Sequence, residues 1–177
     1  MAFDGKRHSI AYSTKLNGGM CFSFIADVDL DNGVLVAKGD LADNEREIYK
    51  AEFDAAKPAY LVLNPAWDYD DSTYAKKNDE GLYYNEACKP FRGYELLVGR
   101  RYEVSADITA DELVKGDYVI IGEKGKIKKT STAENAGNAF VGKVIDVVSH
   151  GFAHSVGSAG TISTVSKFYV IEVIKNA

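Results

Sequence analysis

The chain has 177 residues, enough for one sizeable core or two small ones, and a chain of this length buries roughly 70% of its unfolded surface. Apolar residues at 46% and charged residues at 27% exclude disorder across the chain as a whole. Twenty-six Asp and Glu against 21 Lys and Arg give a formal charge of -5, and the basic residues cluster only at 124–129; direct nucleic-acid binding is disfavoured, because phosphate neutralisation needs a basic patch.

Residues 1–20 are polar, with scattered Phe3, Ile10, Tyr12 and Leu16 and a closing Asn17-Gly18-Gly19. They are predicted to form a flexible, extended N-terminal arm that gains order from a neighbour, since the segment lacks apolar area of its own. Residues 1–13 have no apolar stretch behind Lys6 and Arg7 and do not read as a secretory signal. The longest run without Asp, Glu, Lys or Arg, 147–166, is too rich in Ser, Gly and Thr to span a bilayer, so no membrane partner is expected. Cys21 and Cys88, 67 residues apart, match neither a disulfide framework nor a metal spacing. Two reduced, half-buried thiols are expected, and they fit synthesis in a reducing cytosol.

From Phe22 onward the signal is β. Phe22 to Ile25 begins a strand, and 28–36 reads as strand, turn, strand around Asn32-Gly33, residues that tolerate φ > 0. Residues 47–53 alternate with a period of two, and Tyr60 to Leu63 follow Pro58. Residues 64–90 have no sustained period and carry Trp67, Tyr69, Tyr74, Tyr83 and Tyr84 among Asp, Lys and Asn; this is one long aromatic-rich loop.

Strands return at 94–98 and 101–105, with capping-box spacing for a helical turn at Thr109 to Glu112. A turn at Lys115-Gly116-Asp117 feeds Tyr118 to Ile121, and Glu123 to Lys126 fold the chain back into 127–129. Residues 140–148 and 167–174 are the clearest strands, apolar on both sides and so either central or part of a closed barrel, with a Gly/Ser-rich loop expected at 149–166. The fold class is mainly β: a short-stranded antiparallel barrel or sandwich with few helices. Its domains are the arm at 1–20 and a β domain at 21–177, with a subdivision into 21–90 and 91–177 left open.

Few constellations carry chemistry. Asp27, Asp29 and Asp31 alternate like the opening of a calcium loop, but Gly33 is one place late and Lys38 stands where a bidentate Glu is needed. Asp68, Asp70 and Asp71 are discounted likewise. His150 and His154, four apart, would share a helical face as metal ligands, yet they lie among glycines with no Glu beside them. No nucleophile elbow, Cys-His signature or phosphate loop is present, so no catalytic residue, metal or cofactor is assigned and the chain is not expected to be an enzyme. The aromatics Trp67, Tyr69, Tyr74, Tyr83, Tyr84, Phe91 and Tyr94 admit two readings: a protein-binding surface, or a lid on the core of their own chain.

The string Ala26 to Leu41, then Glu45-Arg46-Glu47-Ile48-Tyr49, then Asn85 to Tyr94, resembles tailed-bacteriophage virion structural proteins. Lys115-Gly116-Asp117-Tyr118-Val119 and Phe140-Val141-Gly142-Lys143-Val144 add a layout similar to the small β domains of capsid decoration proteins. The resemblance is one of layout and short strings over about 120 to 150 residues, not of an active-site motif. It implies a head auxiliary or cement protein, made in the bacterial host cytoplasm and located on the virion, whose partners are the major capsid protein and neighbouring copies of itself. Exposed Trp and Tyr near Asp and Asn also suit a carbohydrate-binding or adhesion module, and a hydrolase with an unrecognised site is a third reading.

Overall fold

Short apolar segments that alternate and are cut by turns can bury their side chains only by stacking or closing sheets, and this chain does both. A computed structural model describes residues 8–12, 19–66, 80–131, 137–155 and 161–177, with 152–155 and 161–164 described as backbone alone. The first half forms a closed five-stranded barrel of β2 (Cys21–Ile25), β3 (Leu35–Leu41), β4 (Ile48–Glu52), β5 (Ala59–Val62) and β6 (Phe91–Glu95), in the ring order β2-β4-β3-β5-β6. Four seams are antiparallel; β2 and β4 run parallel, which requires the chain to cross over through β3.

The second half, joined by β1 from near the N-terminus, forms a six-stranded antiparallel sheet of β1 (Ala11–Tyr12), β7 (Arg101–Ser105), β8 (Tyr118–Ile121), β9 (Ile127–Thr130), β10 (Phe140–Ser155) and β11 (Thr161–Asn176), in the order β1-β7-β11-β10-β8-β9. The two long strands are central, one of the two places their two-sided apolar pattern allows. Helix among the described residues is confined to 3-10 turns at Glu80–Leu82, Ala106–Ile108 and Glu123–Gly125. The mainly β class read from sequence is the fold observed, with β6 (91–95) closing the barrel and β1 joining the sheet.

One apolar core joins the two layers. Phe24, Leu35, Leu61 and Phe91 of the barrel and Tyr102, Val104, Phe140 and Ile171 of the sheet belong to the same buried cluster. Leu35, Val36 and Ala37 are buried in succession, the mark of a strand covered on both faces. Polar stitches reinforce the joint. Asn176, at the end of β11, receives a hydrogen bond from the Ala59 N–H at 2.6 Å and donates to the carbonyls of Ala59 and Leu96, each at 3.0 Å.

Four local expectations need correction. Residues 8–12 do not form a free arm: His8, Ser9, Ile10 and Ala11 are buried, and Ala11 and Tyr12 pair with Val104 and Glu103. The neighbour that orders them is their own chain, while 1–7 and 13–18 lie outside the described residues. Residues 28–36 form no hairpin, because Leu30 bridges Asn85 in place of a residue across the turn; Gly33 nevertheless adopts φ +93°. The helical turn near 109–112 sits earlier, at Ala106–Ile108; Thr109 is extended and its hydroxyl accepts from the Asp111 N–H at 3.1 Å. The loop expected at 149–166 is largely strand. The β10/β11 ladder continues through His150↔Ser166 to Ser155↔Thr161, because Ser, Thr and Val fit a ribbon as well as a loop.

Candidate functional site

Asn64 lies just after β5 at the end of the barrel. Its backbone N–H donates to Asn32 Oδ1 at 2.9 Å, its Nδ2 to Asn85 Oδ1 at 2.8 Å, and its Oδ1 accepts from the Arg92 N–H at 3.0 Å. Asn32 Nδ2 returns a bond to the Asn64 carbonyl at 2.9 Å, and Asn85 Nδ2 reaches the Leu30 carbonyl at 3.0 Å. Three asparagines thus knot four separate segments. Neutral amides suit this place, since each both donates and accepts without a buried charge.

Two hollows meet at the knot, both bordered by Asn64 and Pro65. The larger, about 530 Å³, lies among Ser23, Tyr83, Pro90, Phe91 and Arg92. The smaller, about 290 Å³, lies between the N-terminal segment and the barrel, among Tyr12, Leu63, Ala66, Glu80 and Tyr94. The Tyr12 hydroxyl donates to Glu80 at 2.9 Å, and burial followed by that carboxylate pushes its pKa up. Arg92 is exposed at the rim.

The seven aromatics singled out from sequence separate. Tyr83, Tyr84 and Phe91 are buried: Tyr84 packs on the His8 ring at 4.8 Å between centroids, and Phe91 stacks with Phe24 at 6.1 Å. Burial of these three within their own chain is the lid reading, and Tyr83 and Phe91 also border the larger hollow. Tyr94 is half-buried, packs against the core and borders the smaller hollow. Trp67, Tyr69 and Tyr74 lie outside the described residues.

The acidic and histidine clusters also resolve. Asp29 accepts the Ala87 N–H at 2.8 Å and Asp31 pairs with His8 Nδ1 at 2.5 Å, so these two carboxylates are committed to holding neighbouring segments. His150 and His154 both lie on β10, so their four-residue spacing does not place them on a shared helical face. His150 Nε2 sits 3.3 Å from Glu103 and its ring meets Phe168 edge-on at 4.8 Å. Among the described residues no three His, Cys, Asp or Glu side chains converge as a metal site. Asp68, Asp70 and Asp71 lie outside those residues. Cys21 and Cys88 are free, as two thiols unmatched to any disulfide spacing should be, but exposed and not half-buried.

Sequence reasoning missed the asparagine knot and the rim position of Arg92. The only hints were an Asn before a turn Gly, an Asn before Pro65 and an isolated Asn85 beside two tyrosines; none has a period to read. Comparison with known protein families, curated proteins and solved structures finds none that matches this chain. Among the described residues no helix is long and apolar enough to cross a membrane.

Proposed function

We propose that the chain is a virion structural protein of the capsid-decoration type, made in a bacterial host and bound to the major capsid protein of the assembled shell beside further copies of itself. The observation that supports this most is the paired hollow at Asn64 and Pro65, rimmed by Arg92 and Tyr94 and bordered by Ala66 and Glu80, which flank the Trp67, Tyr69 and Tyr74 segment in sequence. Arg, Tyr and Trp are the side chains enriched at protein contacts, and here a closed barrel holds the rim rigid so that little ordering is lost on docking. Binding to an assembled lattice and not to free subunits stabilises the shell by mass action, and modest contacts sum over many copies.

The test is sedimentation of purified shells with the wild type, with Trp67→Ala and with Arg92→Glu/Tyr94→Ala. The wild type should travel with the shells and the folded variants should not. Full binding by both variants defeats the groove assignment, and failure of the wild type to bind defeats the virion reading. A second reading, carbohydrate binding, is supported by Ser23 and Arg92 beside the Tyr83 ring in a hollow of sugar-sized volume. Glycan-array binding that Arg92→Glu abolishes would favour it.

A further inference from the structure

Arg92 is fixed at its backbone and open at its side chain. Its N–H donates to Asn64 Oδ1 at 3.0 Å, its carbonyl accepts from the Leu63 N–H at 3.1 Å, and its cross-strand partner on β2 is Ser23. Side chains directly opposite one another in an antiparallel pair share a face. Phe24 and Phe91 are buried in the barrel, so Ser23 and Arg92, one place along from each, stand together on its outside. Both are exposed, and both border the hollow of about 530 Å³.

Their polar ends are uncommitted. Among the described residues no carboxylate pairs with the Arg92 guanidinium and no group bonds the Ser23 hydroxyl. Arg101, also exposed, pairs with Glu172 at 3.0 Å. Among the described residues that line the hollow, Arg92 alone is charged. Pro65, Pro90 and the buried Tyr83 form part of its wall, and such side chains have little freedom to lose when a ligand settles on them.

We infer that the larger hollow is a carboxylate pocket, in which Arg92 and Ser23 hold an Asp or Glu side chain of the partner protein while Pro65, Pro90 and Tyr83 cover apolar parts of the segment that carries it. The chemistry selects this ligand. The planar guanidinium fork matches the two oxygens of a carboxylate, and the Ser23 hydroxyl supplies a further donor beside it. A doubly charged phosphate would meet one positive charge here, and a nucleic acid would find no basic stripe. A neutral segment would cover the guanidinium without a counter-charge, which opposes docking. The inference rests on the reading of this hollow as a protein contact and adds what that contact recognises.

Two measurements separate it from that reading. Nuclear magnetic resonance titration of the full chain with N-acetylaspartate methylamide should shift the Ser23 and Arg92 signals, including Arg92 Nε. The neutral asparagine counterpart should leave them in place, and inorganic phosphate should bind no more tightly than the aspartate compound. In sedimentation with purified shells, Arg92→Gln should weaken binding roughly tenfold or more, and Arg92→Lys by less, since Lys keeps the charge and loses the fork. A chain that binds the aspartate compound at Arg92 but not the shells supports the pocket and defeats the virion reading alone. Shell binding that Arg92→Gln leaves unchanged overturns the inference and spares that reading. Absent shifts with the aspartate compound, or equal shifts with the asparagine one, also overturn it. Glucuronate binding more tightly than the aspartate compound overturns the choice of a protein carboxylate in favour of an acidic glycan.

Discussion

Asn32 and Asn64 hold each other reciprocally: the Asn32 amide donates to the Asn64 carbonyl while the Asn64 backbone N–H donates back to Asn32 Oδ1, both at 2.9 Å. Asn85 joins them by donating to Asn32 Oδ1 at 3.2 Å. Replacing Asn32 with Ala strands the Asn64 N–H and takes one acceptor from Asn85. Each buried group left unmet costs about 1–3 kcal/mol, so Asn32→Ala should destabilise the fold by roughly 2–4 kcal/mol. The urea midpoint measures this; a change within a few tenths of a kcal/mol would mean that water replaces the knot.

Gly93 lies directly against the ring of Phe24, so close that a Cβ would overlap the ring carbons. Phe24 is fully buried in the barrel, which leaves the ring no room to retreat. Gly93→Ala is expected to cost about 1–3 kcal/mol through overpacking. Shortening the ring in Phe24→Leu/Gly93→Ala should recover part of that loss, giving a coupling that a double-mutant cycle reads directly. Strict additivity would show that the two residues do not press on one another.

Tyr102 presents the opposite case. Its ring is wholly buried in the central core, and its hydroxyl has no hydrogen-bond partner among the described residues. Burial alone pushes its pKa up, because no group is placed to stabilise the phenolate. Removing an unmet polar atom while keeping the ring should be neutral or stabilising, so Tyr102→Phe is expected to raise the melting temperature slightly. A loss of stability would reveal that the hydroxyl is satisfied after all.

The strand pattern was legible because it depends on neighbours in sequence. Phe168 to Ile174 alternate apolar residues on both sides, and such a strand must be central or part of a closed barrel. The Lys115-Gly116-Asp117 turn was equally local, Gly116 taking φ +99°. What could not be read is closure. The parallel β2/β4 seam and the Leu30↔Asn85 bridge join segments whose sequences carry no mark of each other. Leu30 and Asn32 sit at a local turn signal, yet their partners Asn85 and Asn64 come from beyond three further strands. The arm failed for a related reason: its own sequence is too polar to fold alone, while His8, Ser9 and Ile10 find partners in Asp31, the Asn32 carbonyl and Ser105. Burial supplied by distant segments is invisible to composition.

Asp117 gives the fold an acid-sensitive contact. Its Oδ2 lies 2.7 Å from Lys129 Nζ and accepts the Val114 N–H at 2.9 Å, joining the turn before β8 to β9. Lys129 first, and the backbone bond second, hold the carboxyl below its ordinary value of 3.8. With the folded value depressed, the unfolded chain takes up a proton at a higher pH than the folded one, so stability must fall as pH drops. The contribution is fully present above the unfolded value and is lost as pH falls through the folded one. Urea midpoints measured from neutral pH down through the carboxylate range should therefore decline less steeply for Asp117→Asn than for the wild type. Lys129 is partly exposed, so added salt should narrow the gap between the two proteins. Superimposable pH profiles would show that the Lys129 pair and the Val114 bond give the folded carboxylate no advantage over the unfolded one.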